Sequence, residues 1–254
     1  MAVTAFSNFA VQKNFEDLLK MSVVSLEIPG PSNDGVDQGL MLLQKFQRDI
    51  NRMSDSDRMT RKRGLQKLLD DLPWKSGKQR GELEKLIAKN ILLPLIEGLS
   101  DPVEKCRELS ISLLASSLTV MRSGLLNSEV MLKMIRNLCD RLKDVPSKEA
   151  SEELRLQILE LLKGIMKHAA FASSFNQNPV EVADLLLSTM VKALLDSFPA
   201  AKRASADIVC TVSVFCPLSV RMCFKSLLKS LIGNATHQHS KTRSVTLQVT
   251  LQTR

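Results

Sequence analysis

From residue 37 onward, apolar residues return every three or four positions in helix-length runs, and each run ends at a short polar turn. The clearest unit is ILLPLIEGLSDPVEKCRELSISLLASSL, residues 91–118. Leu92, Leu95, Ile96 and Leu99 fall on one helical face. Ser100-Asp101-Pro102 breaks the run and is expected to start the next helix, since Asp accepts from free first-turn N–H groups and Pro is tolerated at the first helical position. Cys106, Leu109, Leu113 and Leu114 then form a second apolar face, and Arg107 sits beside Cys106.

The same order recurs along the chain. Val130 to Leu142 reads as a first helix, Asp144 to Ser151 as a turn, and Leu154 to Ile165 as a second helix carrying Arg155. Val182 to Leu195 is again a first helix, Asp196-Ser197-Phe198-Pro199 the turn, and Lys202-Arg203 the opening of its partner. Met222 to Leu231 precedes a turn at 233–239, after which Lys241-Thr242-Arg243 opens the last segment. Upstream, Leu40 to Ile50 is followed by a turn at Asp55 to Asp57, and Arg63 leads into Leu65, Leu68 and Leu69. Arg63, Arg107, Arg155, Arg203 and Arg243 thus phase the chain at spacings of 44, 48, 48 and 40 residues, by subtraction. That is the length of a HEAT or armadillo unit.

The predicted fold is therefore all-α, a right-handed α-solenoid of about five HEAT-type helical hairpins. Asp101 and the five arginines are expected to be structural ladder residues between neighbouring units. Residues 1–36 read as a leader, poorly ordered or a short helix, because Ile28 to Gly35 is rich in turn residues. The array covers 37–254. Its last repeat is expected to be truncated or altered, since Val245, Leu247, Val249 and Leu251 alternate with Ser, Thr and Gln at a period of two.

Composition narrows the function. Aromatic residues are 4% and Tyr is absent, which disfavours a β-sandwich or barrel. The longest uncharged apolar stretch, Ile208 to Val220, is interrupted by Pro217 and too short to cross a bilayer. The five cysteines form no CxxC pair and suit a reducing compartment. There is no phosphate-binding Gly-rich loop, no GxSxG and no HExxH. His237-Gln238-His239 has no further ligands at metal spacing and reads as a solvated turn. No catalytic residue, cofactor, metal or small-molecule substrate is expected.

Net charge is +8, and Arg58, Arg61, Lys62, Arg63, Lys67, Lys75, Lys78 and Arg80 surround the single Trp, Trp74. Such a basic 58–80 region supports a nucleic-acid-associated or transport-type adaptor as the alternative. Leu65, Leu68 and Leu69 on the same helix, and the interleaved Asp70 and Asp71, favour a solvated helix face instead.

The strings LLPLIEGLSDPVEKCRELSISLL and SDRMTRKRGLQKLLDDLP, with HQHSK at 237–241, resemble the HEAT-repeat dynein axonemal assembly factor family over about residues 37–243. The matching residues are Leu92, Leu93, Pro94, Leu99, Ser100, Asp101, Pro102, Cys106 and Arg107. The resemblance implies a cytoplasmic, non-enzymatic scaffold for preassembly of dynein arms, with dynein chains and chaperones as protein partners. It implies no catalytic residues. The family is longer, so the chain answers to its N-terminal repeats. Second helices of such arrays line the concave face by analogy of fold, which makes Glu104, Glu108, Gln157, Glu160 and Lys163 the expected partner surface.

Overall fold

The computed structural model describes residues 33–122, 126–144, 147–168 and 179–252. By contact the chain divides into two compact units, 1–37 and 38–254, and the second carries the repeat array from residue 38 onward. The expectation for a leader falls almost wholly outside the described residues.

Among those residues the secondary structure is helical: α1 (Asn33–Arg52), α2 (Arg58–Asp71), α3 (Arg80–Leu86), a π-helical turn (Ile87–Ile91), α4 (Leu92–Gly98), α5 (Glu104–Val120), α6 (Ser128–Leu142), α7 (Glu152–Lys167), α8 (Pro179–Ala193), α9 (Pro199–Phe215), α10 (Pro217–Ala235) and α11 (Ser240–Gln252). They pair as hairpins, and the hairpins stack. The second helices form one layer, α2 on α5, α5 on α7, α7 on α9 and α9 on α11. The first helices form the other, α4 on α6, α6 on α8 and α8 on α10. A continuous apolar core runs between the layers, from Phe46 through Leu68, Leu95, Leu114, Leu138, Leu162, Leu186 and Val209 to Leu231. No hairpin could cover its own apolar faces, so each depends on its neighbours.

Local chemistry explains the boundaries. Asp57, Asn127 and Ser151 cap α2, α6 and α7 by accepting from the N–H three residues on. Pro199 and Pro217 open α9 and α10, where a missing N–H leaves nothing unsatisfied. The π turn at Ile87–Ile91 lies just before Pro94. Proline takes no part in the helical bond to Asn90 and its ring crowds that carbonyl, so the chain widens by a residue instead of breaking. At Gly64 a Cβ would stand 2.7 Å from Arg52 Cβ and 2.8 Å from Asp49 O, so α2 meets α1 closely only because this position is glycine.

Three expectations are corrected. The first helix begins at Asn33, inside the stretch read as a leader, rather than at Leu40. Asp101 does not cap α5. Val103 occupies the N-cap position without a side-chain bond, and Pro102 precedes it. Residues 240–252 are helical despite their period-two pattern. There, Thr242 and Thr246 are buried, and Thr246 Oγ1 returns its hydrogen bond to Thr242 O (2.8 Å). Packing against α9 and α10 overrides the local alternation.

Candidate functional site: the inter-hairpin ladder and the second-helix face

The inner turns vary one construction, complete at Asp55 and Asp101. There a carboxylate at position i accepts from the N–H at i+2, and an arginine at i+6 folds back onto the turn. Asp55 Oδ1, Asp101 Oδ1 and Asp196 Oδ1 accept from Asp57 N, Val103 N and Phe198 N, each at 2.8 Å. Arg61 Nη1 donates to Asp55 O and Ser56 O, Arg107 Nη1 to Asp101 O and Pro102 O, and Arg155 Nη1 to Glu149 O and Ala150 O. Arg243 Nη1 does the same to His237 O and Gln238 O.

The other edge of the Arg61, Arg107 and Arg155 guanidinium groups reaches the next hairpin. Arg61 grips Asp101 at 2.6 and 3.1 Å, Arg107 grips Glu149 at 2.8 Å twice, and Arg155 grips Asp196 at 2.6 and 2.9 Å. Arg141 adds a third bond to Glu149 at 2.9 Å. These are bidentate, charge-assisted pairs in a largely desolvated setting: Arg107 and Arg155 are 8% exposed and Glu149 is fully buried. Burial works to raise the Glu149 carboxyl, but the hydrogen bonds from Arg107 and Arg141 outweigh it and hold it below its ordinary range. Asp196 is lowered in the same way, with burial opposed by Arg155 and the Phe198 N–H.

Two expected rungs are displaced. The first-hairpin cation is Arg61, while Arg63 is exposed on the outer face of α2. In the fourth hairpin the i+6 position is Lys202, not Arg203, and Lys202 Nζ donates to Asn234 Oδ1 at 3.0 Å. The cations thus stand at 61, 107, 155, 202 and 243, spaced by 46, 48, 47 and 41 residues on subtraction. The signal that finds them is the acid six residues upstream: Asp55, Asp101, Glu149 and Asp196. At the fifth turn that place is taken by His237.

The residues expected at the partner surface lie on α5 and α7. Glu104 is exposed, Glu108 is bridged by Lys105 at 2.9 Å, and Lys163 joins Glu160 (3.1 Å) to Asp207 of α9 (3.0 Å). A groove of about 460 Å³ runs between the two helices. Ile111, Ala115, Leu118, Leu161 and Gly164 line it, with Gln157 and Glu160 on the α7 side. Gln157 Oε1 is enclosed and accepts no hydrogen bond among the described residues. Gln157 and Glu160 therefore meet in the groove, whereas Glu104 and Glu108 lie outside its lining.

The basic 58–80 region does not form a stacking platform. Trp74 packs on the core, and its Nε1 donates to Leu69 O at 2.8 Å. Arg61 is used by the ladder, and Arg80 reaches Val120 O at 3.0 Å. Burial pushes the Cys139 thiol up to about 12 and Cys210 to about 11, so both are protonated at neutral pH. Among the described residues no group of three or more His, Cys, Asp or Glu could hold a metal ion, and no helix is long and apolar enough to cross a membrane.

Two stacked helical layers, bonded rung to rung, define an α-solenoid of two-helix repeats. Solved structures show the same fold. A designed armadillo repeat protein in complex with peptide (KR)4 superposes with a TM-score of 0.61 at 15% identity, covering 85% of each chain. An engineered protein gives 0.57 at 10% identity, covering 84% of this chain and 49% of that one.

Sequence comparison supplies the family. The family described as "Dynein axonemal assembly factor 5-like, TPR repeats" matches residues 52–253, and the chain belongs to it. Dynein axonemal assembly factor 5 of Xenopus laevis is 28% identical over 203 residues, which are 80% of this chain and 23% of that protein. The Homo sapiens protein of the same name is 32% identical over 168 residues, 63% of this chain and 18% of that one. The chain thus spans about a quarter or less of the length of these relatives.

Proposed function

We propose that this chain is a non-enzymatic, protein-binding scaffold that acts in the cytoplasm during preassembly of axonemal dynein arms for motile cilia. Family membership across residues 52–253 carries this reading. The fold supports it physically. A stack of hairpins offers an extended face to a protein partner. Dynein chains, and chaperones that act on them, are the proposed partners.

Glu104, Glu108, Gln157, Glu160 and Lys163 are the proposed contact face, with the α5–α7 groove at its centre. Its apolar floor, edged by Gln157 and Glu160, suits an extended segment that supplies apolar side chains. A nucleic-acid role draws no support from the 58–80 region, whose Trp74 is turned inward.

The test is affinity capture from ciliated-cell cytoplasm with the full chain, alongside a Gln157→Ala, Glu160→Ala double variant. Dynein chains and chaperones should be enriched by the wild type and fall severalfold with the variant, at unchanged thermal stability. A catch lacking both classes of protein would overturn the function. A catch that holds them equally in both samples would leave the function standing and reject the groove.

A further inference from the structure

The fifth inner turn departs from the rule that builds the others. Three rungs place a carboxylate in front of the preceding hairpin's cation: Asp101 before Arg61, Glu149 before Arg107, and Asp196 before Arg155. The corresponding residue in front of Lys202 is His237. Burial, and after it the field of Lys202, His239, Arg243 and Arg203, lowers the pKa of its imidazole. The His237 and His239 rings lie 5.2 Å apart, and His239 N donates to His237 Nδ1 at 3.2 Å.

Among the described residues no carboxylate forms an ion pair with Lys202, Arg203 or Arg243. Among the described residues Lys202 Nζ bonds the neutral Asn234 Oδ1 and no acid. Asp196, whose carboxyl Lys202 helps to lower, already carries the bidentate Arg155. Asp207, on the same helix as Lys202 and Arg203, is held by Lys163. Arg243 is fixed by its Nη1 to the turn carbonyls, in the pose that makes Arg107 and Arg155 bidentate carboxylate grips. Its remaining edge meets no acid among the described residues. Lys202, His237 and Arg243 are partly exposed, and His239 and Lys241 are exposed, so the slot is open to solvent.

We propose that the turn between α10 and α11, together with Lys202 and Arg203 of α9, is a binding site for an oxyanion supplied from outside the chain. The chemistry is that of the other rungs, a guanidinium and an ammonium facing anionic oxygens, with the acid provided by a ligand rather than by residue 237. A phosphate group and an acidic side chain of a partner share this chemistry. The site is independent of any role in dynein assembly.

His237→Asp is the decisive variant, because it fills the slot from within and should raise stability while abolishing binding. Thermal unfolding of the full chain is followed in inorganic phosphate, in an acetylated hexaglutamate peptide, and in sodium chloride at matched ionic strength. Wild type should gain about 2–4 °C in Tm over chloride with at least one of the two anions, a shift typical of modest ligand stabilisation at this chain length. The increment should disappear in His237→Asp and shrink in Lys202→Gln, while the general salting effect of phosphate persists in all three. His237 and His239 imidazole resonances should move with the same anion. A response to phosphate alone identifies a phosphate-type ligand, and a response to the peptide alone or to both identifies an acidic segment. No increment in the wild type, or an equal increment in His237→Asp, would overturn the site.

Discussion

In the first four inner turns the cation stands six positions after the acid, and this spacing governs how the hairpins adhere. Removing one member of a buried pair leaves the other charge desolvated and alone. Arg107→Ala should therefore lower the unfolding free energy by about 3–5 kcal/mol in urea titrations. Arg63→Ala, on the exposed face of α2, should change it by less than about 0.5 kcal/mol. The ladder also predicts acid sensitivity. Glu149 and Asp196 have folded pKa values depressed below 4.5 and 3.8. Their contribution is therefore complete above those values and is lost as pH falls through the lower folded ones. Stability should drop as pH falls below about 4, and Glu149→Gln should flatten that part of the Tm-versus-pH curve. The arginine period was legible in the sequence, and it locates Arg107, Arg155 and Arg243. It misplaces Arg63 and Arg203 because basic residues are crowded there, as in Arg61-Lys62-Arg63 and Lys202-Arg203. Phasing on the acid, which has no close competitor at Asp101 or Asp196, removes the ambiguity.

At the scale of the helix, the 3.6-residue pattern identified the hairpins of the array and the inward faces of most of them. What it could not supply were effects fixed by neighbours. The period-two alternation near the C-terminal end gives way to helix because α9 and α10 offer a surface that only a helix can continue. Likewise the π turn before Pro94 is a response to a missing donor, and the sequence shows only the proline. Gly64 is the sharpest case of contact-set geometry. Gly64→Ala would gain helix propensity, yet its Cβ must displace Asp49 O, a backbone atom that cannot rotate away. Net destabilisation of about 1–3 kcal/mol is expected, read as a lower urea midpoint at unchanged m-value.

For the whole molecule, every rung joins one hairpin only to the next, so stability is a chain of nearest-neighbour terms. Strength should vary along it. The α10–α11 hairpin is reached from α9 by Lys202 and a neutral Asn234, whereas the α5 to α7 junction has a doubly held Glu149. Native-state hydrogen exchange should accordingly show lower protection in 217–252 than in 104–167, with opening of the former leaving the latter protected. The same ladder sets a timetable during synthesis. Arg61, Arg107 and Arg155 each find their carboxylate 40, 42 and 41 residues further on. At ribosomal speeds each arginine waits roughly 2–8 s for its partner to be made. A nascent chain of this kind carries one unlatched hairpin at a time, always the newest, while everything behind it is already locked.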